Sequence, residues 1–290
     1  MEEKMNSPLI LNGKELSKKL REKLKEEIKD FLSKGYRKPG LAVILVGNDP
    51  ASLIYVKNKI KACKSIGIES FFFHLEENIT TQELLDLIAE LNNREDIDGI
   101  LVQLPLPKSV NQKEIISAIL PSKDVDGFHP ENMGKLIAQI EDGFIPCTPL
   151  GIDLLMSHYG IEVKGKDVVI VGAGFIVGRP LSSLLLWRNA TVTVCHIYTK
   201  DISKFTRSAD ILISATGIPH LIKEDMVSEG TVVIDVGISK VEGKIVGDVD
   251  FEKVKRKALA ITPVPGGVGP MTVTALLMNT LKSYKKRNLL

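Results

Sequence analysis

Val168-Val169-Ile170-Val171-Gly172-Ala173-Gly174-Phe175-Ile176-Val177-Gly178 carries an aliphatic, β-branched run straight into a G-x-G-x-x-x-G turn. A buried strand, a glycine turn and a following helix are the parts of a dinucleotide-binding βαβ unit. Gly172 permits the tight turn, Gly174 lets backbone approach a pyrophosphate, and Gly178 allows close packing of helix on strand. The helix N-terminus adds unpaired N–H groups and the positive end of its dipole. The context predicts a phosphate-bearing dinucleotide as ligand. A bare G-x-G is equally a turn with no ligand, and it is the strand, turn, helix and second strand from Thr191 together that favour the functional reading. That strand closes at Cys195-His196-Ile197, where an acid usually holds the ribose hydroxyls, and no acid is present. Its absence removes repulsion against a ribose phosphate and leans toward NADP, with NAD as the alternative. Arg179 and Lys200 are the nearby cations.

Working outward, Asp167–Val171, Thr191–His196, Ile211–Ser214 and Val232–Val236 read as strands separated by helices, a doubly wound arrangement. Upstream the same alternation occurs. Lys14–Lys34 has helical apolar spacing, Leu41–Val46 is an aliphatic run suited to a strand covered on both faces, and Asp49-Pro50 opens a helix reaching about Ile66. Strands follow at Ser70–Leu75 and Ile97–Gln103, with helix starts at Thr80-x-x-Glu83 and Asn111-x-x-Glu114. Thr148-Pro149 starts a helix that Gly160 can close, and Met271–Tyr284 forms the last one.

The 290 residues suit two domains at ~100–200 residues each. The predicted fold is therefore α/β with two domains. An N-terminal α/β substrate domain covers residues 1–147 and a C-terminal Rossmann-type dinucleotide-binding domain covers 148–270, with the final helix, 271–290, returning to the first domain. Apolar residues at 44% and charged residues at 26% exclude disordered and fibrous classes. Lysine and arginine number 38 against 36 acids, too near balance to argue for a nucleic-acid or membrane partner on charge alone, and none is expected. Cys63, Cys147 and Cys195 show no zinc or disulfide pattern and are expected to be buried small hydrophobes. Met1-Glu2-Glu3-Lys4 lacks a basic start and an apolar core, and no run approaches the ~20 apolar residues that span a bilayer, so a cytoplasmic location is expected.

Ser52, Tyr55 and Lys59 share one helix face, which puts a phenol beside an amine, although Lys57, Lys61 and Lys64 make the helix lysine-rich and most such groups face water. Gln103 sits at the carboxyl end of a strand, where ligands of open α/β sheets bind. Asp124-Val125-Asp126-Gly127 puts two acids in a turn; such acids commonly bond backbone, and one of them is also available to a polar substrate. Pro263–Pro270 is a proline and glycine turn and a candidate substrate-contacting loop.

Those pieces, in that order, resemble the bifunctional methylenetetrahydrofolate dehydrogenase/methenyltetrahydrofolate cyclohydrolase family. Asn48–Lys59 looks like its tyrosine and lysine helix, and Asp98–Pro107 is similar to its glutamine segment. Lys123–Pro130, Pro146–Pro149 and Thr262–Thr272 complete the likeness over nearly the whole chain. The resemblance implies oxidation of 5,10-methylenetetrahydrofolate with NADP and hydrolysis of the product to 10-formyltetrahydrofolate, in a folate cleft between the domains of a homodimer. It implies that Lys59 is the cyclohydrolase catalyst, that Gln103 tunes and positions it, that Tyr55 lines the cleft and that Asp126 binds the pterin. Ser52, Val102, Leu104, Pro265, Gly266, Gly267 and Val268 are the further folate contacts so implied. Thr148, Gly172, Ala173, Gly174, Ile176, Val177, Ile197 and Ile238 are the implied dinucleotide contacts. Two positions depart from the family pattern: Ala173-Gly174 stands where arginine or alanine and then serine are frequent, and Ile197 stands where a serine is common.

Other readings compete with this one. A short-chain dehydrogenase also pairs a tyrosine with a lysine four residues on, but there the pair follows the glycine loop, whereas Tyr55 precedes Gly172. An amino-acid dehydrogenase places a substrate domain before its dinucleotide domain and is separated by substrate choice. A non-catalytic binding module would hold dinucleotide without turnover.

Overall fold

The computed structural model describes residues 7–289, so the Met1–Lys4 segment read above lies outside the described residues. The described residues divide into two compact units, one formed by Lys18–Cys147 with residues 273–289, the other by Thr148–Thr272 with residues 7–17. In chain order the first elements are β1 (Leu9–Ile10), α1 (Gly13–Ser33), β2 (Gly40–Val46), α2 (Pro50–Ile66), β3 (Glu69–Leu75), α3 (Thr81–Asn93), β4 (Gly99–Val102), α4 (Gln112–Ala118) and α5 (Pro130–Ile137). Next come α6 (Cys147–His158), β5 (Asp167–Val171), α7 (Gly178–Trp187), β6 (Thr191–Cys195), α8 (Ser203–Thr206), β7 (Ile211–Ser214) and β8 (Val232–Asp235). The chain ends with β9 (Ser239–Val241), β10 (Lys244–Val246), α9 (Phe251–Val254), β11 (Ala260–Ile261) and α10 (Val268–Asn288).

In the unit containing Lys18–Cys147, β2 lies between β3 and β4 in a parallel three-stranded sheet. Every residue of β2 is buried, as its unbroken aliphatic sequence requires. Ile44 and Val46 of β2 and Ile100 and Val102 of β4 pack with Leu84, Ile88 and Leu91 of α3; each such side chain contributes ~1.5–3 kcal/mol of burial. The helices begin where their caps dictate. Asp49 accepts from the Ser52 amide at 2.7 Å, with Pro50 in the first turn of α2. Gly67 closes that helix at φ 94°, a left-handed conformation that suits glycine. Thr80 and Glu83 form a complete capping box at the start of α3.

The other unit holds a six-stranded sheet in the order β1-β11-β8-β7-β5-β6, with all pairings parallel. β6 lies on one side of β5 and β7 on the other, so the strand order reverses at β5, the place where open α/β sheets bind ligands. The turn after β5 is the glycine loop. The sheet also corrects the expected domain boundary. Leu9 and Ile10 pair with Ala260 and Ile261, so residues 7–17 join this unit and not the one assigned from the sequence. A two-residue edge strand has no periodicity to read, and its pairing is settled by the neighbouring strand. The β9–β10 hairpin and α5 also went unread, and α10 starts at Val268, ahead of the expected Met271.

Two buried carboxylates hold the end of β8 to its surroundings. Asp235 accepts from the amides of Gly237 and Asp248, both at 3.0 Å, and of Val249 at 2.9 Å. Asp248 accepts on one oxygen from the Ser214 hydroxyl at 2.9 Å and from the amide and hydroxyl of Thr216 at 2.7 and 2.8 Å. Its other oxygen is buried without a hydrogen-bond partner. Burial pushes the Asp235 carboxyl up to about 6; its three amide bonds oppose this and the neighbouring Asp248 charge adds to it. Between its ordinary value of 3.8 and about 6 the folded chain keeps a proton that the unfolded chain has released. The contribution of this group to stability is therefore complete below that window and lost as pH rises through it, by at most ~3 kcal/mol. The difference in thermal midpoint between the wild type and Asp235→Asn should shrink as pH rises from 4 to 7, and a constant difference would remove Asp235 as the titrating group.

Candidate active site

α2 is rich in lysine, but its lysines do not share one environment. Lys57, Lys61 and Lys64 are exposed, whereas Lys59 is 7% exposed and lies on the inward face with Ser52, Val56 and Cys63. Spacings of three and four residues put these side chains in one row. Tyr55 is half-buried on the same helix, and burial raises its phenol above the usual range.

A buried ammonium needs an acceptor, and Gln103 supplies it. Lys59 Nζ donates to Gln103 Oε1 at 2.9 Å. The amide nitrogen of Gln103 donates to the Leu104 carbonyl at 2.7 Å, which leaves only its oxygen to face the amine. Its backbone amide donates to Ile44 O at 2.8 Å, so Gln103 is pinned at the end of the central sheet just beyond β4. Val102 beside it is buried and Leu104 is half-buried.

The two acids of the Asp124–Gly127 turn have separate tasks. Asp124 accepts from the amides of Gly127, Phe128 and His129 at 3.1, 3.2 and 2.7 Å and from Asn132 Nδ2 at 2.8 Å, so its carboxylate is used entirely on the local backbone and helix start. Asp126 has a different environment. Burial raises its carboxyl, while the Lys59 ammonium and a bond from the Cys147 thiol draw it back down. All three cysteines are buried and free, as expected, but Cys147 is more than a packing residue because its thiol faces this carboxyl and also donates to Val125 O at 3.3 Å. Burial holds that thiol well above its ordinary value, so it stays protonated and serves as a donor. Neither this donor nor the amide of Asn279, which bonds the Val125 carbonyl at 2.9 Å, was found from the sequence. Contact between such distant parts of the chain leaves no local signal.

Ser52, Tyr55, Lys59, Val102, Gln103, Leu104 and Asp126 all fall in one unit. The remaining candidates belong to the other. There Pro265 is exposed and Val268 buried, Gly266 adopts φ 112°, and Gly267 is enclosed by Thr262 and the Pro263 carbonyl. Thr148 is half-buried and bonds the Thr272 hydroxyl at 3.2 Å.

In the glycine loop, a Cβ on Gly172 would meet Ala215 O at 2.4 Å and one on Gly178 would meet Gly172 O at 1.8 Å. These two glycines are demanded by packing. A Cβ on Gly174 would meet nothing within 4 Å, so open space faces that residue. Val177, in the cap position of α7, makes no side-chain capping bond, which leaves the helix N-terminus to be satisfied by something else. Open space over glycine backbone and an uncapped helix start fit a phosphate group. Ala173 is half-buried at the loop, and Ile176, Ile197 and Ile238 are exposed apolar side chains. Arg179 donates through Nε to Ala173 O at 3.1 Å, bracing the loop. Among the described residues no helix is long and apolar enough to cross a membrane.

Comparison with known proteins bears on both units. Residues 11–126 match the family model described as the tetrahydrofolate dehydrogenase/cyclohydrolase catalytic domain, and residues 146–288 match its NAD(P)-binding domain. The bifunctional protein FolD of Aquifex aeolicus is 74% identical over 279 residues, 96% of each chain. The crystal structure of the Campylobacter jejuni bifunctional enzyme FolD superposes with a TM-score of 0.94 at 56% identity, over 96% of this chain and 99% of that one. A Trypanosoma brucei methylenetetrahydrofolate dehydrogenase-cyclohydrolase, solved with NADP cofactor and inhibitor, gives a TM-score of 0.92 at 39% identity over 96% of this chain and 98% of that one. A buried lysine answered by a glutamine, and a glycine loop at a strand-order reversal, thus occur in a chain that belongs to the tetrahydrofolate dehydrogenase/cyclohydrolase family.

Proposed function

We propose that this chain oxidises 5,10-methylenetetrahydrofolate to 5,10-methenyltetrahydrofolate with NADP and hydrolyses that product to 10-formyltetrahydrofolate. The observation that carries the reading is the 2.9 Å bond from a buried lysine amine to an oriented glutamine oxygen. The homodimeric, cytoplasmic state implied by the family resemblance is part of the same reading.

The dinucleotide would be held by the backbone at Gly172, Ala173 and Gly174 and the start of α7, with Thr148, Ile176, Val177, Ile197 and Ile238 as further contacts. When bound, it supplies the acceptor for the hydride that leaves the bridging carbon. The two substrate nitrogens share the positive charge that results, so no side chain has to remove a proton in this step. The chain's part is alignment, for which Tyr55, Ser52, Val102, Leu104 and the Pro265–Val268 loop are the contacts and Asp126 binds the pterin.

Hydrolysis asks more of the protein. Water must add to the cationic carbon, lose a proton, and open the ring as the carbon–nitrogen bond breaks. Lys59 takes the proton of the attacking water and returns one to the departing ring nitrogen. A lysine does this work in its neutral form, which a substrate cation beside it favours. Gln103 keeps Nζ aimed without adding a charge of its own. An amine that acts as base in hydrolysis alone makes the two activities separable.

Lys59→Met should abolish methenyltetrahydrofolate hydrolysis, a fall of about 100-fold or more, while part of the oxidation survives. Absorbance of methenyltetrahydrofolate follows both steps, and equal, total loss of the two activities would contradict this division. Gly174→Ala should keep the wild-type thermal midpoint and weaken dinucleotide binding about tenfold, a difference of ~1.4 kcal/mol, whereas Gly178→Ala should lower the midpoint itself. Unchanged binding by Gly174→Ala would take that residue out of the site. Steady-state kinetics with NADP and NAD side by side decide the coenzyme.

A further inference from the structure

Asp126 has to be aimed, and the hydrogen bonds that aim it do not come from its own turn alone. Asn279, on α10, is 3% exposed. Its Nδ2 donates to Val125 O at 2.9 Å and Ile145 O at 3.0 Å and approaches Cys147 Sγ at 3.8 Å. The Val125 carbonyl belongs to the peptide group whose nitrogen is that of Asp126, so this bond fixes the plane from which the Asp126 side chain departs. The Cys147 thiol donates to the same carbonyl at 3.3 Å, and its proximity lowers the Asp126 carboxyl. On the far side there is no slack. Gly127, at φ 81°, is pressed so closely on the next segment that a Cβ would lie 2.7 Å from Pro146 N and 2.8 Å from the Ile145 carbonyl carbon.

We infer that Asn279 is a positioning residue for Asp126, clamping the Val125–Asp126 peptide to the Ile145–Cys147 segment and so setting where the pterin-binding carboxylate points. The inference rests on the reading of Asp126 given above. Residue chemistry supports an asparagine here. Its amide offers two N–H donors to two carbonyls, bonds that leucine would remove and that aspartate would replace by repulsion. A lysine would also satisfy them, but it would bring a second cation toward a carboxyl whose charge is already answered by Lys59. A neutral donor holds the backbone and leaves that electrostatic pairing alone.

The test is a double-mutant cycle between Asn279→Ala and Asp126→Ala, read as KM and kcat for methenyltetrahydrofolate hydrolysis, with dinucleotide affinity and thermal midpoint as controls. Asn279→Ala is expected to raise the folate KM about tenfold, the loss of an oriented contact, with a smaller change in kcat and none in dinucleotide affinity. In the Asp126→Ala background it should raise KM no further. Asn279→Ser, which keeps one donor, should fall between alanine and wild type and serves in the cycle if the alanine variant does not fold. An unchanged KM in the single Asn279 variant, or an equal rise with and without Asp126, overturns the positioning role. If Asp126→Ala itself leaves the folate KM unchanged, the reading of Asp126 fails first, and the inference fails with it.

Discussion

An ammonium group taken out of water costs several kcal/mol unless oxygen atoms replace its hydration, and the arrangement around Lys59 follows from that constraint. Gln103 meets the amine with a neutral oxygen, and a backbone carbonyl on its other side keeps the amide from turning. Asp126 lowers the cost further through its charge. The neutral amide secures the position of the nitrogen, and general-base chemistry requires a base within reach of the proton it takes.

Much of this was legible in the sequence, and the division between what was and was not is physical. The aliphatic run of β2, the Asp49-Pro50 start and Gly67 end of α2, and the Thr80–Glu83 capping box are consequences of near neighbours in the chain, so short windows reveal them. The row of Ser52 and Lys59 on one helix face was readable from spacing, but spacing could not say that Lys59 would be buried while Lys57, Lys61 and Lys64 stay exposed. Asp124 and Asp126 looked alike as turn acids. They separate only when the turn is closed and three amides converge on Asp124. Asn279 and the Leu9–Ile10 strand were illegible for the same reason, since each takes its meaning from a partner far along the chain.

The glycine loop shows how a ligand motif can be made largely of packing. Gly172 and Gly178 are required because neighbouring carbonyl oxygens occupy the places where their side chains would be. Only Gly174 faces open space, so only that glycine is left for a ligand to explain. Ile176, Ile197 and Ile238 are exposed apolar side chains of the same unit.

The final helix binds the earliest elements of its unit from the opposite end of the chain. Ser283 donates to the carbonyls of Asp98 and Ser122, Tyr284 to that of Arg37, and Arg287 to the carboxylate of Asp98. During synthesis those acceptors leave the ribosome long before their donors exist. Residues 148–272, the larger part of the other unit, are made in between, so the bonds that α10 gives to these acceptors are the last of this unit to become available.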